Sequence, residues 1–262
     1  MKKGVLIGIV IVIVCSIIGI YFGYKGYALL NYDLKQLEEL DYYKTFMDNY
    51  KNAETINIKE TSNSDYEKIS FEGIHIRNDF KEYAMTESED PFGKGRKYQL
   101  HNPDGKYNSE SGKFEAAIWI SKEKQFVYYL KDDFSIYSGD DKIIKSVGTK
   151  ESRTAFLEKK NITTDLELMD YLYKTRDEKL SIFTSVQDIK NLYEIHAHSS
   201  ILFMNNSKIT LIKGDIEGTL TSKNNVKICN LYTKDSLYSL TFIGEKFTDA
   251  YIEELLNTIT ID

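Results

Sequence analysis

The chain has 262 residues, 28% of them charged and 42% hydrophobic, which is the composition of a globular protein rather than a disordered one. With 2 Pro and 15 Gly it is neither collagen-like nor a Pro-rich linker, and a formal net charge of −6 argues against a broad cationic face for nucleic acid. Two cysteines, Cys15 and Cys229, cannot build a disulfide framework.

The amino terminus carries the strongest signal. Lys2 and Lys3 precede an uncharged run over residues 4–24 that is dense in Ile and Val. Twenty-one residues at about 1.5 Å per residue reach about 31 Å, which matches a hydrocarbon core of about 30 Å. The run is longer than the apolar region of a signal peptide, although Gly26-Tyr27-Ala28 has the small-x-small form of a cleavage site. Val14 before Cys15 lacks the small residue that lipid acylation needs. The reading is an uncleaved single-span anchor. Lys2 and Lys3 keep residues 1–3 cytoplasmic and send the chain after residue 24 outside the cell membrane.

Within this span Gly4, Gly8, Cys15, Gly19, Gly23 and Gly26 share an arc of about 100° on a helix. Gly4-x-x-x-Gly8 and Gly19-x-x-x-Gly23 have the spacing that lets two membrane helices approach backbone to backbone. Gly19 and Gly23 are therefore candidates for packing against a second copy or a partner's transmembrane helix.

Residues 25–60 read as a juxtamembrane stalk and linker. Leu30, Leu34, Leu37, Leu40, Tyr43, Met47 and Tyr50 suggest a helix continuing over 29–50. The two successive three-residue steps at Leu34–Leu37–Leu40 break the register of a long coiled coil, so this helix is expected to pack on its own domain. The polar stretch 61–65 opens the main domain, residues 61–262.

Short strands follow. Ile69, Phe71, Ile74 and Ile76 flank Glu72-Gly73, which predicts two strands around a tight turn or one bulged strand. Residues 114–120 and 125–130 predict a hairpin turning at Ser121-Lys122-Glu123-Lys124. Thr164 with Glu167, and Ser185 with Asp188, have capping-box spacing ahead of helical stripes. Strands are predicted at 208–213, 216–221, 226–232 and 236–243, then a helix over 247–258 capped by Thr248. Strands, helices, strands and a closing helix make an α+β fold with a mostly antiparallel sheet covered by helices. This order is similar to the Mog1/PsbP-like arrangement over roughly residues 65–262. That resemblance implies only a layout of helices on a sheet, because no motif accompanies it and no functional residue can be carried over.

The bias is strong: 30 Lys against 4 Arg, with 20 Tyr. It resembles the usage of AT-rich, low-GC Gram-positive bacteria, whose exported proteins often lack disulfides.

No stretch assembles a recognisable catalytic or cofactor motif. His196 and His198 lie about 200° apart on a helix and cannot share a metal ion from one face. Asn102-Pro103-Asp104-Gly105 recasts as a Pro-Asp-Gly turn, since a calcium loop centred on Gly105 would place Leu100 and Ser111 where carboxylates belong. Ser121-x-x-Lys124 lacks the companion Lys-Thr-Gly of penicillin-recognising enzymes. Gly93-Lys94, Gly105-Lys106 and Gly112-Lys113 lack the Ser or Thr of a phosphate loop. Cys229 reads as a buried thiol in a strand, and Asp132-Asp133, Asp140-Asp141 and Glu253-Glu254 as solvated acidic pairs. Catalytic residues stay unassigned, and no metal, cofactor or nucleic-acid partner is expected. The composite expectation is a membrane-anchored extracytoplasmic binding or interaction module of the cell envelope. An enzyme with a dispersed active site and a small-ligand or metal sensor remain as alternatives.

Overall fold

The computed structural model describes residues 3–59, 66–89, 96–101, 117–131, 136–137, 143–144, 149–181, 183–203 and 208–262. It begins with a 29-residue helix, α1 (Lys3–Asn31). The predicted continuation over 29–50 is broken. Asp33 leaves helical geometry and its side chain caps Lys35 N at 3.1 Å, starting a separate 3-10 turn over Leu34–Glu39. Leu40 is extended, and a new helix, α2 (Asp41–Lys51), starts after it. The Asx cap at Asp33 outcompetes the leucine stripe, and the 3-10 turn still buries Leu34 and Leu37.

An eight-stranded sheet runs in the order β1-β9-β10-β11-β12-β6-β5-β4. Its strands are β1 (Glu54–Ile58), β4 (Ala84–Glu89), β5 (Arg96–His101), β6 (Ala117–Glu123), β9 (Lys208–Gly214), β10 (Glu217–Lys223), β11 (Val226–Tyr232) and β12 (Leu237–Ile243). β1 joins β9 in parallel, and the other ladders of this sheet are antiparallel. A small sheet pairs β2 (Lys68–Phe71), β3 (Ile74–Arg77) and β13 (Thr260–Ile261), and a two-residue ladder pairs β7 (Ile136–Tyr137) with β8 (Ile143–Ile144). Helices α3 (Phe126–Tyr129), α4 (Lys150–Lys159), α5 (Asp165–Thr175) and α6 (Val186–Phe203) precede the four-strand meander, and α7 (Asp249–Leu256) follows it.

The β2–β3 turn matches its prediction. Glu72 and Gly73 both take positive φ, 42° and 95°, as a two-residue hairpin turn requires. Tyr238 Oη donates to Glu72 O at 2.8 Å and ties the small sheet to the large one. The predicted hairpin over 114–130 does not form. β6 continues through Ser121, Lys122 and Glu123 because it is clamped between β5 and β12, and residues 126–129 turn into helix instead. The buried Asp165 carboxylate accepts Phe126 N at 2.8 Å and Val127 N at 2.7 Å, supplying the cap that Gln125 does not give.

Two cores lie on opposite faces of the large sheet. On one face α2, α4, α5 and α6 enclose Phe46, Phe156, Leu168, Leu172, Leu192 and Ile195. On the other, α7 and the small sheet cover Ile118, Ile120, Leu231, Leu240, Phe242 and Phe247. The fold is α+β with a mostly antiparallel sheet and an apolar amino-terminal helix.

Candidate functional site

From Ile9 to Tyr24 every residue of α1 is exposed, in a segment of mean hydropathy 2.0. Such a continuous apolar surface is far larger than a soluble domain leaves open to water, and the helix is long and apolar enough to cross a membrane.

The carboxy-terminal turns of α1 differ. Lys25 and Ala28 are buried against the domain. Lys190 of α6 donates to Tyr24 Oη at 2.9 Å and lies over the rings of Tyr24 and Tyr32. Tyr32 meets Tyr193 edge to face at 5.6 Å. The helix end is finished locally, as Asn31 Nδ2 donates to Tyr27 O at 2.8 Å and Gln36 Nε2 to Leu30 O at 2.7 Å. The apolar helix is thus packed onto α6 rather than joined to the domain by a free tether. Beside this junction a groove of about 440 Å³ runs between residues 29–38 and the segment after α5, lined by Asp33, Lys35, Glu38, Arg176 and Lys179.

The docked face fixes where the glycines point. At 100° per residue Lys25 and Ala28 project about 140–160° away from the bisector of Gly19 and Gly23. A Cβ built on Gly19, Gly23 or Gly26 would meet nothing within 4 Å. The domain therefore leaves the glycine face uncovered.

The polar groups that sequence reading weighed for chemistry are engaged in folding contacts. His196 and His198 both lie on α6 and are buried. Tyr43 Oη sits 3.1 Å from His196 Nδ1, and Thr175 Oγ1 2.8 Å from Nε2. Because Thr175 Oγ1 already donates to Tyr171 O, the His196 Nε2–H donates to Thr175, and in the neutral ring Nδ1 then accepts from Tyr43. Burial disfavours the charged ring and holds its pKa down at about 3, so the ring is neutral. Cys229 is fully buried in β11, where burial pushes its thiol far above the usual range. Glu253 and Glu254 lie exposed on α7, and Glu254 accepts from Arg77 at 2.8 Å. Residues 102–105, 132–133, 140–141 and the three Gly-Lys pairs lie outside the described residues.

Three arrangements were invisible in sequence. Arg153 and Glu194, both buried, pair at 2.9 Å, and Arg153 Nε also donates to Leu130 O at 2.7 Å. His198 lies within the field of both. Asp165, raised to about 6 by burial against two backbone N–H donors that pull the other way, joins α5 to α3. On the small sheet Ser70 Oγ, His75 and Asp262 form a row, with Ser70 2.8 Å from Nδ1 and Asp262 3.1 Å from Nε2. Its members resemble a nucleophilic triad in type. However, Ser70 is exposed and Asp262 is 76% exposed, so the row sits in high dielectric on an open sheet face, where it serves as a cross-strand tie. Among the described residues no three His, Cys, Asp or Glu side chains gather as a metal site.

No protein-family model, curated protein or solved structure matches the chain significantly. The Mog1/PsbP-like likeness accordingly stays one of element order read from the sequence, and a short strand, β13, follows the expected closing helix α7.

Proposed function

We propose that this protein is a single-pass, membrane-anchored module of the cell envelope. Residues 4–24 cross the bilayer, the amino terminus lies in the cytoplasm, and the domain works outside through contacts with a protein or envelope partner. The observation that carries the reading is the exposed apolar helix packed by its last turns onto α6, which makes anchor and domain one body. The commitment of Arg153, Glu194, His196 and Cys229 to buried folding contacts favours a binding role over catalysis. The open Gly19–Gly23 face, turned away from the domain, supports pairing with a second copy or with a partner's span.

Protease added to intact protoplasts should digest the domain. Full protection of a carboxy-terminal tag would overturn the topology. Gly19→Leu with Gly23→Leu should abolish cross-linking through the span while Ile11→Leu leaves it intact; cross-links that survive the double change remove the glycines from the interface.

A further inference from the structure

Phe183 is 92% exposed, the highest value of any large apolar side chain among the described residues. It sits in the connection between α5 and α6, and its place relative to α1 follows from a series of contacts in matched order. Tyr24 meets Lys190, Tyr32 meets Tyr193, Tyr43 meets His196 and Phe46 meets Phe203. Moving outward from the apolar helix along the chain therefore means climbing α6 from its amino end. Moving down α6 from Lys190 toward Val186 leads back toward the apolar helix. α5 confirms the direction, since its Asp170 meets Tyr50 while Thr175, nearer its end, meets His196. Residues 176–180 continue past Leu29 and Asp33. Among the described residues, the turn that holds Phe183 thus lies on the edge of the domain that faces the apolar segment.

That turn is also built to enter a poorly hydrated layer. Ser181 N donates to Thr184 Oγ1 at 3.2 Å, Phe183 N to Ser181 Oγ at 3.1 Å and Thr184 N to Ser181 O at 3.0 Å. Its backbone donors at 181, 183 and 184 are satisfied internally, which removes the main cost of placing irregular backbone at a membrane surface. Where α1 leaves its apolar run it carries exposed Tyr24 and Tyr27, and tyrosines concentrate where a span leaves the hydrocarbon.

We infer that Phe183 inserts into the interfacial layer of the bilayer that α1 spans, giving the domain a second foothold that fixes its orientation on the membrane. This rests on the membrane-anchored reading, and the occupant is lipid because the exposed ring sits on the edge of the domain that faces the end of the apolar run. The test uses the full chain carrying Trp119→Phe, reconstituted in phosphatidylcholine vesicles whose lipid is brominated near the top of the acyl chains. Three single reporters are compared: F183W, I11W in the span and K223W on β10. The inference expects F183W and I11W to lose emission in brominated vesicles relative to unbrominated ones, with K223W unchanged. Loss at I11W without loss at F183W overturns this inference alone. No loss at I11W overturns the anchor and this inference with it. Loss at all three means the domain is not oriented by this turn, and overturns the inference too. Because position 183 is almost fully exposed, F183W leaves the packing of the domain intact.

Discussion

The two faces of the large sheet are filled by different chemistry. Between the sheet and α7 the interior is apolar, built on Phe242, Phe247, Leu240 and Ile252, with Phe247 stacked among Phe80, Phe242 and Tyr251. Its ion pairs stay at the rim, where Arg77 grips Asp79 and Glu254. Under the helices, on the face that receives α1, the interior holds Arg153, Glu194, Asn191, His196, His198 and Asp165. An apolar core is stabilised by area and packing and is indifferent to protons. A polar interior depends on every partner and on every protonation state. The consequence is that the half of the domain attached to the apolar helix is the specific and conditional half.

The sharpest way to break this contrast is to remove one partner from each side. Phe247→Ala should cost about 3–5 kcal/mol through the cavity it leaves, equally at neutral and mildly acidic pH. Arg153→Met should cost a similar about 3–5 kcal/mol by stranding Glu194, but Arg153→Met with Glu194→Leu should recover most of it. Urea unfolding checks both. A double variant as unstable as the single one would mean that the pair is not the stabilising unit.

Protons provide the next largest effect. His196 titrates at about 3 when folded and near 6.5 when unfolded, so below pH 6.5 the unfolded chain binds a proton that the folded one refuses. Its contribution to stability is therefore lost as pH falls from 6.5 toward 3, and His198, also lowered by burial, acts in the same direction. Asp165 opposes them. Raised to about 6 from 3.8, it holds in the folded state a proton that the unfolded chain lacks between those values, so it gains stability as pH falls from about 6 to 3.8. Two histidines against one carboxylate leave the unfolded chain binding about one more proton than the folded one between about pH 6 and 4, so stability falls on acidification by on the order of 1 kcal/mol per pH unit. His196→Gln should flatten this slope relative to the parent, and an unchanged slope would place the acid sensitivity elsewhere.

The smallest expected change runs the other way. Ser199 Oγ is buried on α6 with no hydrogen-bond partner among the described residues. Ser199→Ala should stabilise the protein by about 1 kcal/mol, through relief of that desolvation and better helix propensity. A loss of stability on thermal melting would show that the hydroxyl has a partner.

Legibility in the sequence followed the range of the interactions. Thr164 and Glu167 form their capping box as predicted, Thr248 caps α7, and the four strands from Lys208 to Ile243 lie within two residues of their expected bounds. These are local signals. The misread hairpin at Ser121–Lys124 failed because its partners come from far along the chain: β12 clamps β6, and Asp165 turns residues 126–129 into helix. The continuous helix after α1 failed because a leucine stripe fits a 3-10 turn as well as an α-helix. The buried pair left one faint trace. In a chain with 4 Arg against 30 Lys, an arginine marks a site where a planar, multiply donating cation is needed, and Arg77 and Arg153 each fill one. Its partner Glu194, 41 residues on, had no such mark.

The central claim is that α1 and the domain form one body held at a membrane. It is tested most directly by the distance distribution between spin labels on Ile17→Cys and Lys223→Cys in nanodiscs. Cys15→Ser removes the exposed native thiol, while Cys229 is buried and unreactive. Packing of Tyr24 and Tyr32 on α6 predicts a single narrow distribution that broadens when Lys190→Ala and Tyr193→Ala cut the junction. A broad distribution in the uncut protein would show a domain swinging on a flexible tether and would contradict the account.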